Sequence, residues 1–270
     1  MRGANETRTG FIMQVILHPG FHKTGTSSLQ ACLAANRTAL APYARIVLLD
    51  ELTDACRYAT HYCISHDPFD LAGFTGAFAQ MCEDVAANAQ TLLISCEGLS
   101  GRTPGKKGIV DYRAAVPLAA AMAEGVKAVF GGKTKLTLVY TTRQSPGWMS
   151  SAWRHNLYGY RITEDFDAFC NRCAGAADFA AITGAVAQKL RRAEVISVPL
   201  ETVQDAALGP AEAVLHLLDL PAALRASLRN PGLRNAGRDT DTTAAMLALN
   251  RSDLPDDEVK RRKLALVRRG

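Results

Sequence analysis

The apolar run Val15-Ile16-Leu17 passes within three residues into Gly20-Phe21-His22-Lys23-Thr24-Gly25-Thr26-Ser27-Ser28, and few folds accept that order. Gln14 to Leu17 reads as a short buried strand, and Gly25 to Asn36 as a helix with Leu29, Cys32 and Leu33 on one face. A strand that turns tightly into a helix belongs to a crossover unit, and crossovers join parallel strands. The same turn aims backbone N–H groups and the positive end of the helix dipole at one point, which suits a phosphate or sulfate group.

Further apolar runs at Arg45 to Leu49, Thr91 to Cys96, Leu136 to Thr141 and Val195 to Val198 alternate with alanine-rich stretches at 74–89, 112–130, 174–192 and 211–219. The alternation predicts an α/β fold, a central parallel sheet flanked by helices. With 270 residues and 48% hydrophobic content, residues 14–270 are expected to form one domain, preceded by a disordered extension at 1–13. Glycines and prolines among basic residues make Gly98 to Lys107 a surface loop beyond a strand's carboxyl end, where open α/β sheets bind ligands. The polar stretch 229–241 reads as another loop, and the run Lys260-Arg261-Arg262-Lys263 as the solvated face of a charged helical tail.

The formal charge of +5 is modest and requires no nucleic-acid partner. No run approaches the ~18 apolar residues of a membrane span, and the first twelve residues lack the apolar stretch of a signal peptide. Seven scattered cysteines suit a reduced interior, so a cytoplasmic protein is expected. Only Cys170-Asn171-Arg172-Cys173 has C-x-x-C form. It lacks a second pair for zinc, and no metal site is expected.

Two constellations carry chemistry. In the common nucleotide loop G-x-x-x-x-G-K-[ST] the lysine follows the second glycine. Here Gly20 and Gly25 keep the spacing, but Thr26 stands in the lysine's place and Lys23 lies inside the turn, next to a terminal or bridging oxygen. Thr26 and Ser27 add hydroxyl donors. The second constellation is Leu138-Val139-Tyr140-Thr141-Thr142-Arg143 followed by Gln144-Ser145-Pro146. Ser145 and Pro146 suit a helix start, which puts Arg143 at a strand end and Ser151 about two turns into the helix. An arginine and a hydroxyl suit a dianionic phosphate bound without metal.

Together these elements resemble the sulfotransferases that use 3′-phosphoadenosine 5′-phosphosulfate. The family's K-[ST]-G-T-[ST] loop matches Lys23, Thr24, Gly25, Thr26 and Ser27. The resemblance implies that this loop grips the 5′-phosphosulfate while Lys23 stabilises the bridging oxygen. The family's strand-end arginine and the serine eight positions later match Arg143 and Ser151, which implies a 3′-phosphate site shared by a neighbouring Ser150. His18, Leu29-Gln30 and Ile94-Ser95-Cys96-Glu97 are similar to the bacterial sulfotransferase-like branch. The resemblance implies a nucleotide-kinase-like fold over approximately 14–220. Two departures stand out. Ser28 occupies the position of the adenine-stacking tryptophan of many members, and the glycine-rich C-terminal lid has only Leu233-Arg234-Asn235-Ala236-Gly237-Arg238 as a counterpart.

An acceptor hydroxyl or amine needs a base, and the family uses a histidine or glutamate at the edge of the donor site. Glu97, at a strand's carboxyl end, is the first choice; His22, His61 and His66 are alternatives. Trp148 and Trp153 are expected in the core, and His155 lies four residues after Ser151. Acceptor pockets are expected in 51–75, 98–111 and 156–175, which carry no motif, so carbohydrate, lipid, peptide and small phenol stay open. Two rival functions remain: a small-molecule kinase using ATP and Mg²⁺, and a non-catalytic nucleotide-binding module.

Overall fold

The computed structural model describes residues 12–85, 90–232 and 240–269. Five strands, β1 Gln14–His18, β2 Arg45–Val47, β3 Thr91–Ser95, β4 Lys135–Thr142 and β5 Glu194–Pro199, form one sheet in the order β2-β3-β1-β4-β5. All four pairings are parallel, with His18 opposite Ser95 and Leu17 opposite Leu138. Each strand therefore needs a crossover. Helices α1 Thr26–Ala35 and α2 Arg37–Leu40 lead to β2; α3 Thr53–Ser65 and α4 Pro68–Val85 precede β3; α5 Ala115–Phe130 precedes β4. After β4 come α6 Ser145–Gly159, α7 Phe166–Arg172 and α8 Phe179–Lys189. Beyond β5 the chain forms α9 Leu200–Val203, α10 Glu212–Leu215, α11 Ala222–Ser227, α12 Thr240–Arg251 and α13 Asp256–Arg269.

A parallel sheet must be covered on both faces, and side-chain alternation along the strands sorts the core into two layers. Val15, Leu17, Val47, Leu92, Ile94, Leu138 and Tyr140 join the layer built with α3, α4, α5, α6 and α8. Ile16, Ile46, Leu93 and Val139 face the opposite layer, with Leu29, Cys32 and Leu33 of α1 and with Ala213, Val214 and Leu215 of α10. The chain leaves β1 in one direction toward β2, and after β3 it crosses back over β1 to β4. The segments after β1 and β3 thus diverge, opening the crevice where such sheets bind ligands. The glycine turn and Glu97 both lie there.

Several segments take forms that composition did not indicate. Thr53–Ser65 and Pro68–Val85, which cover most of the motif-free stretch 51–75, form a helical hairpin on the core. Gly98 to Lys107 is no surface loop: Leu99, Gly101, Thr103, Pro104 and Gly105 are buried. In the tail, Arg261 and Arg262 pair with Glu258, but Lys263 is only 4% exposed and donates to the carbonyls of Leu157 and Tyr160 at the end of α6. Burial lowers its ammonium to about 8, and Arg161 adds to the shift. The expected extension at 1–13 lies outside the described residues except for Ile12 and Met13, and Met13 already accepts from Lys135 N. Of the 229–241 loop, 233–239 and with them Arg234 and Arg238 lie outside the described residues, and α12 begins at Thr240. Among the described residues no helix is long and apolar enough to cross a membrane.

Candidate anion-binding site

The glycine turn owes its shape to three left-handed residues, Gly20 (φ +55°), Lys23 (φ +70°) and Gly25 (φ +90°). A Cβ on Gly25 would lie 2.7 Å from Leu200 Cδ1 and 3.1 Å from Pro210 Cγ, so space and backbone both exclude a side chain there. Gly25→Ala is expected to destabilise the fold by about 2–4 kcal/mol, combining left-handed strain with overpacking. Chemical denaturation checks this, and an unchanged midpoint would remove the steric account.

Four successive carbonyls of the turn each accept a hydrogen bond from a side chain. Gly20 O accepts from Ser100 Oγ (3.1 Å), Phe21 O from Thr24 Oγ1 (2.6 Å), His22 O from Trp148 Nε1 (2.8 Å) and Lys23 O from Arg143 Nη1 (3.4 Å). With these four carbonyl oxygens engaged by side chains, the turn's N–H groups are the backbone groups left for a ligand. Helix α1 begins there with no side-chain cap, and the N–H groups of Ser28 and Leu29 close on Gly25 O. The preceding N–H groups, of Gly25, Thr26 and Ser27, have no intrahelical acceptor by helix geometry. The hollow is suited to an anion.

Beneath the turn runs a buried polar chain. His18 joins Ser95 Oγ through Nδ1 (2.8 Å) and Thr141 Oγ1 through Nε2 (3.1 Å), and Thr141 Oγ1 meets Thr24 Oγ1 (2.8 Å). It ties β3, β1 and β4 to the turn at their carboxyl ends. All four side chains are fully buried. Burial lowers the His18 imidazole to about 4, against a smaller opposing pull from Glu97. The folded state therefore holds His18 neutral where the unfolded chain, with its ordinary value near 6.5, binds a proton. Stability from this group is complete above pH 6.5, falls by about 1.4 kcal/mol per pH unit toward pH 4, and levels off below. A His18→Gln variant, compared by urea denaturation between pH 7.5 and 4, is expected to show a shallower slope. Equal slopes would show that His18 is not the titrating group.

The site residues expected from the sequence fall into distinct positions. Lys23 lies half-buried in the turn and Ser27 is exposed at the start of α1. Thr26 is buried, with its methyl packed where a Cβ on Gly20 would come within 2.7 Å. Thr24 offers no hydroxyl to the hollow, because its Oγ1 is held by Phe21 O and Thr141. Arg143 reaches the turn from the end of β4, and its Nε would be 3.2 Å from a Cβ on Gly147. The guanidinium thus lies along the α6 face that carries Gly147, and Ser151 follows one turn later on that face. Ser150 accepts from Arg154 Nη2.

Glu97 begins a 3₁₀ turn after β3, with its Cβ 3.5 Å from a Cβ placed on Gly20, and Gln30 Nε2 of α1 donates to its Oε2 (2.7 Å). His22 is half-buried; its N–H donates to Tyr112 Oη (3.2 Å). Burial, with Lys106, His155, Lys23 and Arg102 around it, lowers its imidazole to about 3. His61 sits exposed beside Asp70, and His66 ends α3 with its ring against Tyr62. Trp153 donates to Glu164 O. Trp148 is in the core as expected, yet it also holds the turn, as do Ser100 and Tyr112, which no local pattern singles out. Their partners lie 80 to 126 residues away in sequence.

A cleft of about 790 Å³ opens beside the turn, lined by Arg143, Ser145, Asp178, Thr183, Ser197 and Glu201. It does not include the glycine turn; Arg143 is common to the cleft and to the turn's bracing. Fold and site together define a parallel α/β protein with a braced anion hollow at the sheet's switch point. No protein family's sequence profile matches the chain, and no curated protein matches it in sequence.

Proposed function

We propose that the protein is a sulfotransferase that moves a sulfuryl group from 3′-phosphoadenosine 5′-phosphosulfate to a hydroxyl or amine. The observation that supports this reading is the hydrogen bond from Arg143 to the Lys23 carbonyl, because it brings together two elements, 120 residues apart, whose residues suit anions. ATP has no 3′-phosphate for a second arginine-and-serine element to read.

In this reading the N–H groups of the hollow hold the 5′-phosphosulfate, and Lys23 offsets charge that builds on the bridging oxygen as the bond to sulfur breaks. Arg143, with a forked guanidinium suited to a dianion, and Ser151 hold the 3′-phosphate. Glu97 takes the acceptor's proton, oriented by Gln30. His22, kept neutral by its surroundings, is the alternative base. The sulfotransferase resemblance of the Lys23 to Ser27 and Arg143 to Ser151 elements supports the donor's identity. A cytoplasmic location and a small-molecule or glycan acceptor belong to the same proposal.

One observation favours the kinase reading. Glu97 follows two residues after the end of β3, the strand beside β1, and a carboxylate near a phosphate loop can hold Mg²⁺. Calorimetry separates the two. Adenosine 3′,5′-bisphosphate is expected to bind at least about tenfold tighter than ATP with Mg²⁺, and the opposite order would sink the sulfotransferase reading. Release of labelled sulfate onto an acceptor separates an enzyme from a non-catalytic module.

A further inference from the structure

Near the glycine turn, two cationic side chains converge on one phenol. Arg102 Nη2 and Lys106 Nζ both donate to the Tyr160 phenol oxygen, at 3.2 and 2.8 Å. The Lys106 ammonium also lies 4.1 Å from the Tyr160 ring centroid. Both cationic side chains are half-buried, and Arg102 Nε is buried with no hydrogen-bond partner. In the surrounding segments Asp111 pairs with Arg113, Glu164 pairs with Arg172, and Glu97 accepts from Gln30 Nε2. Among the described residues neither Arg102 nor Lys106 forms an ion pair.

The segment that carries these cations is held in place. Asn156 Nδ2 donates to Pro104 O (2.9 Å), Arg172 Nη2 to Gly105 O (3.0 Å) and Gly105 N to Ile109 O (2.8 Å). Gly105 has φ +105°, and a Cβ there would fall 2.3 Å from Phe169 Cε2. The two cations are therefore presented by a fixed backbone, and ordering them need not be repeated when a ligand arrives. Burial holds the Lys106 ammonium below its usual range; Tyr160 opposes that shift, and Arg102 and Lys107 add to it. Burial would raise the Tyr160 phenol, but Lys106 and Arg102 together lower it. Like charges half-buried around one phenol are unfavourable until an anion joins them.

We propose that Arg102, Lys106 and Tyr160 bind a carboxylate or phosphate carried by the acceptor, so that the acceptor is an acidic molecule rather than a neutral alcohol or phenol. The word acceptor rests on the sulfotransferase reading; the anion site itself rests on these three residues. The cluster is next to the glycine turn, since Ser100, two residues before Arg102, donates to Gly20 O (3.1 Å). It is built from the segment after β3 and from Tyr160, nine residues beyond Ser151 at the end of α6.

The test begins with the full chain saturated with adenosine 3′,5′-bisphosphate, which fills the donor site, and titrates inorganic phosphate by calorimetry. Phosphate is expected to bind with a Kd of ~1–10 mM. An Arg102→Gln, Lys106→Gln double variant is expected to weaken it at least about tenfold while the bisphosphate Kd stays within about twofold. The single variants serve if the double variant does not fold. Glucuronate and glucose 6-phosphate are expected to compete with phosphate where glucose does not, and the stronger of the two tells a carboxylate from a phosphate acceptor. The proposal is overturned by wild type that fails to bind phosphate, by a variant that binds it equally, or by glucose competing as well as the acids. Loss of bisphosphate binding in the variant also overturns it, because the cations would then serve the donor. Bisphosphate that does not bind wild type strikes the sulfotransferase reading alone. The difference in phosphate affinity between wild type and variant still reports on Arg102 and Lys106.

Discussion

Lys23→Ala is expected to lower kcat by about 10²–10³-fold, equivalent to about 2.7–4 kcal/mol of transition-state stabilisation. Donor KM should change by less than about threefold, because the N–H groups of the hollow still hold the ground-state anion. The position complicates any such variant, since Lys23 has φ +70° and alanine inherits the same left-handed strain. Lys23→Gly relieves that strain and supplies the control. It should fold at least as stably as wild type and be as slow as the alanine variant. If Lys23→Gly retained wild-type turnover, the ammonium would have no part in the chemistry.

Arg143→Ala is expected to raise the Kd for adenosine 3′,5′-bisphosphate by about 10–100-fold, the range for losing charge-assisted hydrogen bonds to a phosphate. Affinity for ATP should move little, because ATP lacks the 3′-phosphate. Arg143→Lys should recover only part of the loss, since an ammonium keeps the charge without the fork. A second consequence follows from the hydrogen bond to Lys23 O: without it that carbonyl loses its donor. Titrations of both nucleotides against both variants separate the two effects. Equal loss for bisphosphate and ATP would mean that Arg143 only braces the turn.

Strands β1, β3 and β4 were legible in the sequence because strands buried on both faces of a parallel sheet read as short continuous apolar runs. Helix α3 was not, because its buried face is made of Ala55, Ala59 and Cys63, small residues that leave a weak periodic signal within a polar stretch. Gly98 to Lys107 looked like a surface loop for a sound compositional reason. Its middle, Thr103 to Gly105, is buried, with the carbonyls of Pro104 and Gly105 satisfied by Asn156 and Arg172, partners that no local pattern could supply. Lys263 misleads in the same way, its charge met by two carbonyls at the end of α6.

Within the site, the spacing of Gly20 and Gly25 and the strand end at Arg143 were readable because they are local. Thr24 shows the limit. Its residue type and place in the turn suggest a ligand hydroxyl, but a buried partner at Thr141 turns it inward. The cluster of Arg102, Lys106 and Tyr160 was equally invisible, being assembled from segments 54 and 58 residues apart.

The sequence alone determined a parallel α/β architecture and a glycine turn able to face an anion, since both follow from local periodicity and backbone freedom. Tertiary structure decided which side chains engage the turn's carbonyls, which hydroxyls remain for a ligand, and where unpaired cations gather. Those outcomes depend on hydrogen bonds and burial between residues far apart in the chain, and such pairings exist only once the layers have packed.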